Sequence, residues 1–473
     1  MADKTALDMR YLNVPLPEDL MKLKWGGDYE RLISVIDRRL ADETLPAPLR
    51  KRLQLERILA ARIPSQYSYS YEEALELLRA NIRDFKDKEL ETLWEENTAD
   101  WIYINGRVQF HELFFENLMK TRDDYGARFL GTMEDNEKNA ALLRENVRLM
   151  EEHGGRTVHM RLLTRLSLTP EAEKACMGKT AHVYMPLPVE YAQVRNLRLL
   201  GFEGTAGEPV SVDNGSYPQR TARFETVIRG GEVWQTEFEF DNETVFRNPD
   251  PSQVLFSQPS FYTGEEAPHI RFTPYLRELT RSVTEGEENP LLAAEKIYRF
   301  ITSQVKYSFV RSYSTVEDIP EFTAANRKGD CGFQALLFIT MCRIAGIPAR
   351  WQSGLYATPL TVGSHDWAQY YVAPFGWLSA DCSFGGSAFR QGDEKRRAYY
   401  GANLDPYRIP YASQFMHSFS REEEGLRDDP YDNQSGEVFC GGRFLRSGKE
   451  FTVEYRLETA EKCRFVKHLL HGL

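Results

Sequence analysis

The chain has 473 residues, of which 42% are hydrophobic and 12% aromatic, a composition typical of a folded protein with several domains. It carries 70 acidic against 59 basic residues, and it lacks a basic cluster interleaved with aromatic residues, which argues against a nucleic-acid partner. The sequence shows neither a signal-peptide pattern nor an apolar run of the roughly 18 residues that a membrane span requires. We therefore expect a cytoplasmic protein with no membrane association.

The cysteines and acidic residues do not form a metal-binding pattern. Six cysteines are widely scattered and form no CxxC pair, which argues against a disulfide framework or a zinc site. The acidic stretch from Glu422 to Glu437 lacks the alternating ligands and central glycine of a calcium loop. We interpret this stretch as a solvated acidic loop and expect neither a metal nor a cofactor.

The first third of the chain has the apolar spacing of amphipathic helices. Such runs cover about 28–40, 49–63, 70–83, 88–120 and 134–152. This pattern predicts a helical N-terminal domain over residues 1–154.

After Gly154-Gly155 the apolar residues alternate with polar ones, as in strands that bury one face. Trp234, Phe238 and Phe240 belong to one such run, and Gly230-Gly231 has the composition of a hairpin turn before it. The pattern predicts a small antiparallel, sandwich-like β-domain over residues 155–250.

Helical patterns return at about 273–285 and again after Asn289-Pro290, a favourable pair for starting a helix. We assign residues 251–436 to a catalytic domain for the reasons that follow. Residues 437–473 should add strands to a sheet, and the tail from Thr459 to Leu473 is predicted to be helical. The fold class is therefore α+β.

The stretch from Gly329 to Phe338 predicts a buried helix that begins at a cysteine. Asp330 can accept hydrogen bonds from the first turn as an N-cap, and apolar residues follow on nearly every face. A thiol at a helix N-terminus experiences the positive end of the helix dipole, which favours the thiolate. Because the charge of Asp330 opposes this effect, we expect a cationic partner beside Cys331.

A β-hairpin further along the chain can supply that partner. His365 and Asp381 lie on either side of a Pro/Gly break, and a three-residue loop centred on Ala373 would place them opposite each other. Asp381 would then hold one imidazole nitrogen and leave the other for the thiol. Such a Cys–His–Asp set supplies a nucleophile, an acid/base group and an orienting carboxylate.

The block from Gly329 to Ala388 resembles the transglutaminase-like superfamily, which is related to the papain-like cysteine proteases. The resemblance rests on motifs in the family's order: Gly329 to Gly332, Arg343 to Arg350, Ser353 to Tyr356, His365 to Tyr370 and Gly376 to Asp381. It implies a transglutaminase-like (papain-like) catalytic domain. It also implies Cys331 as nucleophile, His365 as acid/base and Asp381 as orienting carboxylate.

Three further residues receive roles beside this triad. The resemblance suggests an oxyanion hole formed by the backbone N–H of Cys331 and an upstream aromatic side chain, for which Tyr307 is the candidate. Trp367 shares the strand face of His365 and is a candidate wall of an acyl pocket. Asp366 points to the opposite face and is interpreted as structural.

The expected activity is hydrolysis of an amide bond in a peptide or protein substrate through a cysteine thioester. One alternative is transfer of the acyl group to an amine, as in a protein-glutamine transglutaminase. Another is a catalytically inert scaffold or binding module. The sequence does not choose an oligomeric state.

Overall fold

The protein is described by a computed structural model over residues 8–131 and 137–459, and over the backbone of residues 462–468. The helices are α1 (Glu18–Trp25), α2 (Tyr29–Leu40), α3 (Ala47–Arg62), α4 (Tyr71–Asn81), α5 (Asp87–Glu95), α6 (Phe114–Thr121), α7 (Asp123–Gly126), α8 (Glu137–His153), α9 (Pro170–Cys176), α10 (Pro274–Thr284), α11 (Pro290–Gln304), α12 (Ile319–Asn326), α13 (Cys331–Ile344), α14 (Cys382–Arg390) and α15 (Glu394–Tyr399). None of these helices is long and apolar enough to cross a lipid bilayer.

The strands form five sheets. They are β1 (Tyr69–Ser70), β2 (Trp101–Ile104), β3 (Arg107–Phe110), β4 (Gly155–Leu168), β5 (Thr180–Pro186), β6 (Val194–Gly201), β7 (Ser211–Val212), β8 (Thr221–Val227), β9 (Val233–Val245), β10 (Lys306–Tyr307), β11 (Lys328–Gly329), β12 (Ala349–Ala357), β13 (Val362–Val372), β14 (Gly376–Ala380), β15 (Arg408–Ala412), β16 (Glu437–Cys440), β17 (Arg443–Phe444), β18 (Phe451–Thr459) and β19 (Lys462–His468).

Most of the N-terminal part is helical, but the predicted helix over 88–120 is wrong in its middle. Strands β2 and β3 form an antiparallel hairpin there. Asn105 and Gly106 make the turn with φ of 52° and 74°. An Asn-Gly pair is a strong hairpin signal because both residues tolerate positive φ, and the apolar spacing around it obscured that signal.

The middle of the chain contributes to two five-stranded sheets, ordered β17-β16-β5-β8-β7 and β19-β18-β4-β9-β6. Their inward-facing residues, such as Trp234, Phe238 and Val183, belong to one buried cluster. The interpretation of Gly230-Gly231 as a hairpin turn is wrong, because β8 and β9 lie in different sheets. The two glycines connect one sheet to the other.

The C-terminal strands pair with strands far earlier in the chain. Strand β16 lies against β5, and β18 lies against β4 over its whole length. The predicted C-terminal helix is wrong over residues 462–468, where β19 pairs with β18. The other residues of that predicted helix lie outside the described part, apart from Thr459, which ends β18.

The cysteine helix is confirmed and lies at the centre of the largest buried cluster. Helix α13 packs on a four-stranded antiparallel sheet of order β14-β13-β12-β15. Its residues from Gly332 to Arg343 are all buried. Burial on every side agrees with the apolar pattern around the whole helix and leaves its N-terminal end as the part that reaches a site.

Candidate active site

The start of α13 is built by Asp330, as the sequence predicts. Its carboxylate accepts the backbone N–H of Phe333 at 3.1 Å and the hydroxyl of Tyr313 at 2.6 Å. Burial raises the pKa of Asp330 to about 6 despite these hydrogen bonds. Parallel pairing of β10 with β11 sets Tyr307 opposite Gly329, close to the N-terminal end of the helix. Cys331 is the first residue of the helix and is partly exposed.

His365 and Asp381 are in direct contact. Nε2 of His365 lies 2.8 Å from Oδ2 of Asp381, and both side chains are buried. The other imidazole nitrogen, Nδ1, has no hydrogen-bond partner among the described residues. The ring is fixed through one nitrogen, and the second remains able to exchange a proton.

A buried arginine completes this pair. The guanidinium of Arg408 donates to the same Oδ2 of Asp381 at 2.8 Å and approaches Asp405 at 3.2 Å. Burial disfavours the charged form of Asp381, but the neighbouring His365 and Arg408 outweigh it and hold the pKa of Asp381 well below its usual range. Asp381 is therefore a permanent carboxylate at neutral pH.

The hairpin register differs slightly from the predicted one. The loop has three residues, but Val372 pairs with Gly376, so the loop is centred on Pro374 and not on Ala373. Asp381 lies just beyond β14 and caps α14 by accepting the backbone N–H of Phe384 at 3.0 Å. His365 and Asp381 are therefore diagonal neighbours and not directly opposite each other, and the carboxylate at the start of α14 contacts the imidazole ring.

The thiol of Cys331 contacts Asp366 and not the imidazole. The sulfur lies 3.5 Å from Oδ2 of Asp366. The backbone N–H of Asp366 also points at the sulfur. The sulfur therefore lies beside the peptide group that joins His365 to Asp366.

These surroundings favour the neutral thiol, whereas the sequence predicted the thiolate. Burial raises the pKa of Cys331 well above its usual range, and the charges of Asp366 and Asp330 raise it further. The expectation that the helix N-terminus favours the thiolate is wrong for this arrangement, because burial and two carboxyl groups outweigh the helix dipole. Asp366 also touches the candidate nucleophile, and its interpretation as structural remains a prediction.

Tyr307 lies beside the sulfur. Burial, and then the nearby charge of Cys331, raise the pKa of Tyr307 well above its usual range. The hydroxyl therefore stays protonated and able to donate a hydrogen bond. Its role in an oxyanion hole remains a prediction.

Trp367 shares the face of His365, as expected from strand alternation. The two rings stack with centroids 6.0 Å apart, and the indole N–H donates to Gln352 at 2.6 Å. Trp367 has no exposed surface, so it supports the imidazole from behind. Contact with an acyl group remains a prediction.

The acidic stretch near the C-terminus is not a solvated loop. Asp432 and Glu437 are only 3% and 2% exposed. Gln434 from the same stretch donates to Oδ1 of Asp366 at 2.6 Å and to the backbone carbonyl of His365 at 3.1 Å. The loop covers the end of β13 beside the candidate site.

Arg408 and Gln434 were not recognised as site residues from the sequence alone. Arg408 begins the apolar run of β15, and a charged residue beside such a run is the one signal that could have indicated a buried ion pair. Gln434 has no comparable signal. Its contact with Asp366 joins residues 68 positions apart.

These features define a class of protein. A helix that starts at a cysteine packs on an antiparallel sheet, and the second strand after that helix carries a histidine in contact with a carboxylate. Residues 277–382 match the family model described as the transglutaminase-like superfamily. This segment, from α10 to the start of α14, is similar to the transglutaminase-like superfamily.

Similar proteins are distant. An uncharacterized protein of Haemophilus influenzae is 24% identical over 243 residues, which make up 44% of this chain and 64% of that protein. The solved structure of a proposed cysteine protease from Cytophaga hutchinsonii is 15% identical, with a TM-score of 0.43, and the match covers 66% of this chain and 93% of that one. The periplasmic domain of TgpA from Pseudomonas aeruginosa is also 15% identical, with a TM-score of 0.27, over 54% of this chain and 96% of that one.

Proposed function

We propose that this chain is a thiol-dependent amide-bond enzyme that acts through Cys331, His365 and Asp381. The observation that carries the proposal is the 2.8 Å contact between His365 and Asp381, with Nδ1 of the ring unpartnered among the described residues. The sulfur of Cys331 lies beside the backbone N–H of Asp366, the residue that follows His365. The match of residues 277–382 to the transglutaminase-like superfamily supports the same assignment.

The proposed reaction begins with transfer of the thiol proton to Nδ1 of His365. The sulfur forms a bond to the substrate carbonyl carbon, and the negative charge moves to the carbonyl oxygen. The backbone N–H of Cys331 and the hydroxyl of Tyr307 are the proposed donors to that oxygen. The C–N bond then breaks, and the amine leaves with the proton from His365.

The acyl group now rests on Cys331 as a thioester. Water attacks this thioester, and His365 accepts a proton from the water and returns it to the sulfur. Asp381 remains ionised throughout and stabilises the imidazolium. The favoured substrate is an amide bond of a peptide or protein. We propose that the reaction takes place in the cytoplasm and needs neither a metal nor a cofactor.

The test is a search for an acyl adduct on Cys331 by mass spectrometry after incubation with a peptide library. We expect an adduct in the wild type and none in Cys331→Ala. Hydrolysis of any peptide found should fall at least tenfold in His365→Ala, while the exposed His159→Ala serves as the matched control and keeps full activity. Peptide hydrolysis that persists in Cys331→Ala would overturn the proposal.

The same experiment separates the alternatives. Adding a primary alkylamine should leave the products unchanged if water is the acceptor. A product that contains the amine would show acyl transfer instead. Absence of any adduct, with partner binding unaffected by Cys331→Ala, would indicate an inert scaffold.

A further inference from the structure

Both carboxyl oxygens of Asp366 are in contact with other side chains. Oδ2 lies 3.5 Å from the sulfur of Cys331, and Oδ1 accepts the side-chain N–H of Gln434 at 2.6 Å. The residue is 7% exposed. A buried carboxyl group held on one side by an amide has little freedom to move away from the sulfur on its other side.

The side chains of Asp366, which contacts the sulfur, and His365 point to opposite faces of β13. Asp366 pairs with Ser353 and faces α13, together with Ala368 of the same buried cluster. His365 precedes it in the strand and faces the side of Phe384 and Asp381. Adjacent residues of a strand point to opposite faces, and among the described residues no hydrogen bond joins the sulfur to His365.

We propose that Asp366 is a positioning residue that holds the Cys331 sulfur away from His365 and keeps it a neutral thiol in the resting protein. The inference rests on the proposed function of Cys331. It goes beyond that function by assigning the resting state of the nucleophile to a carboxyl group outside the triad. No bond is made or broken in this step. The S–H group and the carboxyl group stay in contact until the side chain of Cys331 turns.

Three further carboxyl groups and two neutral tyrosine hydroxyls face this contact. Asp330 comes from the start of α13, Tyr307 from β10 and Tyr313 from the segment before α12. Asp429 and Asp432 approach Asp366 from the loop before β16. Among the described side chains, no lysine, arginine or histidine lies within ion-pair distance of Asp366.

The order of ionisation follows from these surroundings. Burial, and then the charge of Asp330, raise the pKa of Asp366 to about 8, while the pKa of Cys331 is raised well above its usual range. As pH rises, the carboxyl group loses its proton before the thiol does. The thiolate must therefore form beside an existing negative charge, which opposes it.

The test is the pH profile of Cys331 alkylation by iodoacetamide, followed on the peptide that contains Cys331 by mass spectrometry. Asp366→Asn keeps the size of the side chain and removes its charge. We expect it to lower the midpoint of the profile by one pH unit or more, which corresponds to about a tenfold faster reaction in the limb below both midpoints. Asp366→Glu keeps the charge and is expected to retain a high midpoint.

An unchanged or raised midpoint in Asp366→Asn would overturn the proposal, including the case in which only the stability of the protein changes. If Asp366→Asn fails to fold, the same comparison is made with Asp366→Ser, which also removes the charge. In either case the wild-type midpoint must lie above that of the same cysteine in the urea-unfolded chain, and a midpoint at or below that value overturns the proposal. Since the experiment uses no substrate, its failure is distinguishable from failure of the proposed function.

Discussion

At the scale of single residues, the candidate site depends on one buried cation. Arg408 has no exposed surface and contacts Asp381 and Asp405. Its guanidinium carbon lies 4.2 and 4.8 Å from the ring centroids of Phe384 and Tyr356. Both carboxylates are fully buried. Their charges are tolerated because the guanidinium compensates them.

We predict that Arg408→Met destabilises the protein by about 3–5 kcal/mol, because two buried carboxylates then lack a cation. Chemical denaturation would measure the loss. Arg281→Met is the matched control, since Arg281 forms an exposed ion pair with Glu278 on α10, and it should have little effect. Equal losses in the two variants would contradict the role assigned to Arg408.

At the scale of elements, α14 sets the position of Asp381 and is held close to α11. A methyl group at Gly385 would lie 1.8 Å from the hydroxyl of Tyr298, whereas one at Gly386 would meet the nearest atom at an ordinary 3.5 Å. The two neighbouring glycines differ only in this approach. Asp381 caps the same helix, so a shift of α14 moves the carboxylate that holds His365.

We predict that Gly385→Ala lowers the free energy of unfolding and weakens the activity attributed to His365, because α14 must move away from α11. Gly386→Ala is expected to be neutral or to stabilise by up to about 1 kcal/mol, since alanine favours a helix over glycine. Denaturation midpoints and peptide hydrolysis would be compared for the two variants. Similar behaviour of both would show that the close packing at Gly385 does not position α14.

At the scale of the whole molecule, the N-terminal helices hold the segment that carries Tyr307. Asn117 is 2% exposed. Its amide donates to the carbonyl of Phe309 at 2.9 Å and accepts the N–H of the same residue at 2.7 Å. Gln66 accepts the backbone N–H of Ser312 at 2.6 Å. These contacts assign the N-terminal part a role that the sequence left open, which is to support the backbone beside the site.

We predict that Asn117→Ala destabilises the protein by about 1–3 kcal/mol, because a buried N–H and carbonyl lose their partners. Amide hydrogen exchange should accelerate in the peptide that spans residues 305–312. Asn81→Ala is the control, since the amide of Asn81 bonds only to Leu77 within its own helix. Unchanged exchange in residues 305–312 would contradict the support role.

The sequence by itself determined the features that depend on neighbouring residues. The start of α13 at Cys331, the hairpin of β13 and β14 and the contact of His365 with Asp381 follow from a cap, a spacing and a turn within short stretches. Such features arise from local hydrogen bonds and hydrophobic periodicity, which a sequence displays directly. The Asn105-Gly106 turn is a local signal of the same kind, but the helical spacing of the apolar residues around it led to the prediction of a helix.

Only the tertiary structure decided the features that join distant parts of the chain. The contact of Cys331 with Asp366, the ion pair of Arg408 with Asp381, and the pairing of β18 with β4 each bring together residues far apart in the sequence. The charge state of the thiol also depends on the tertiary structure, because burial and carboxyl groups from other elements determine it. The sequence indicated the candidate reactive groups, and the packing of distant elements decided which of them are in contact.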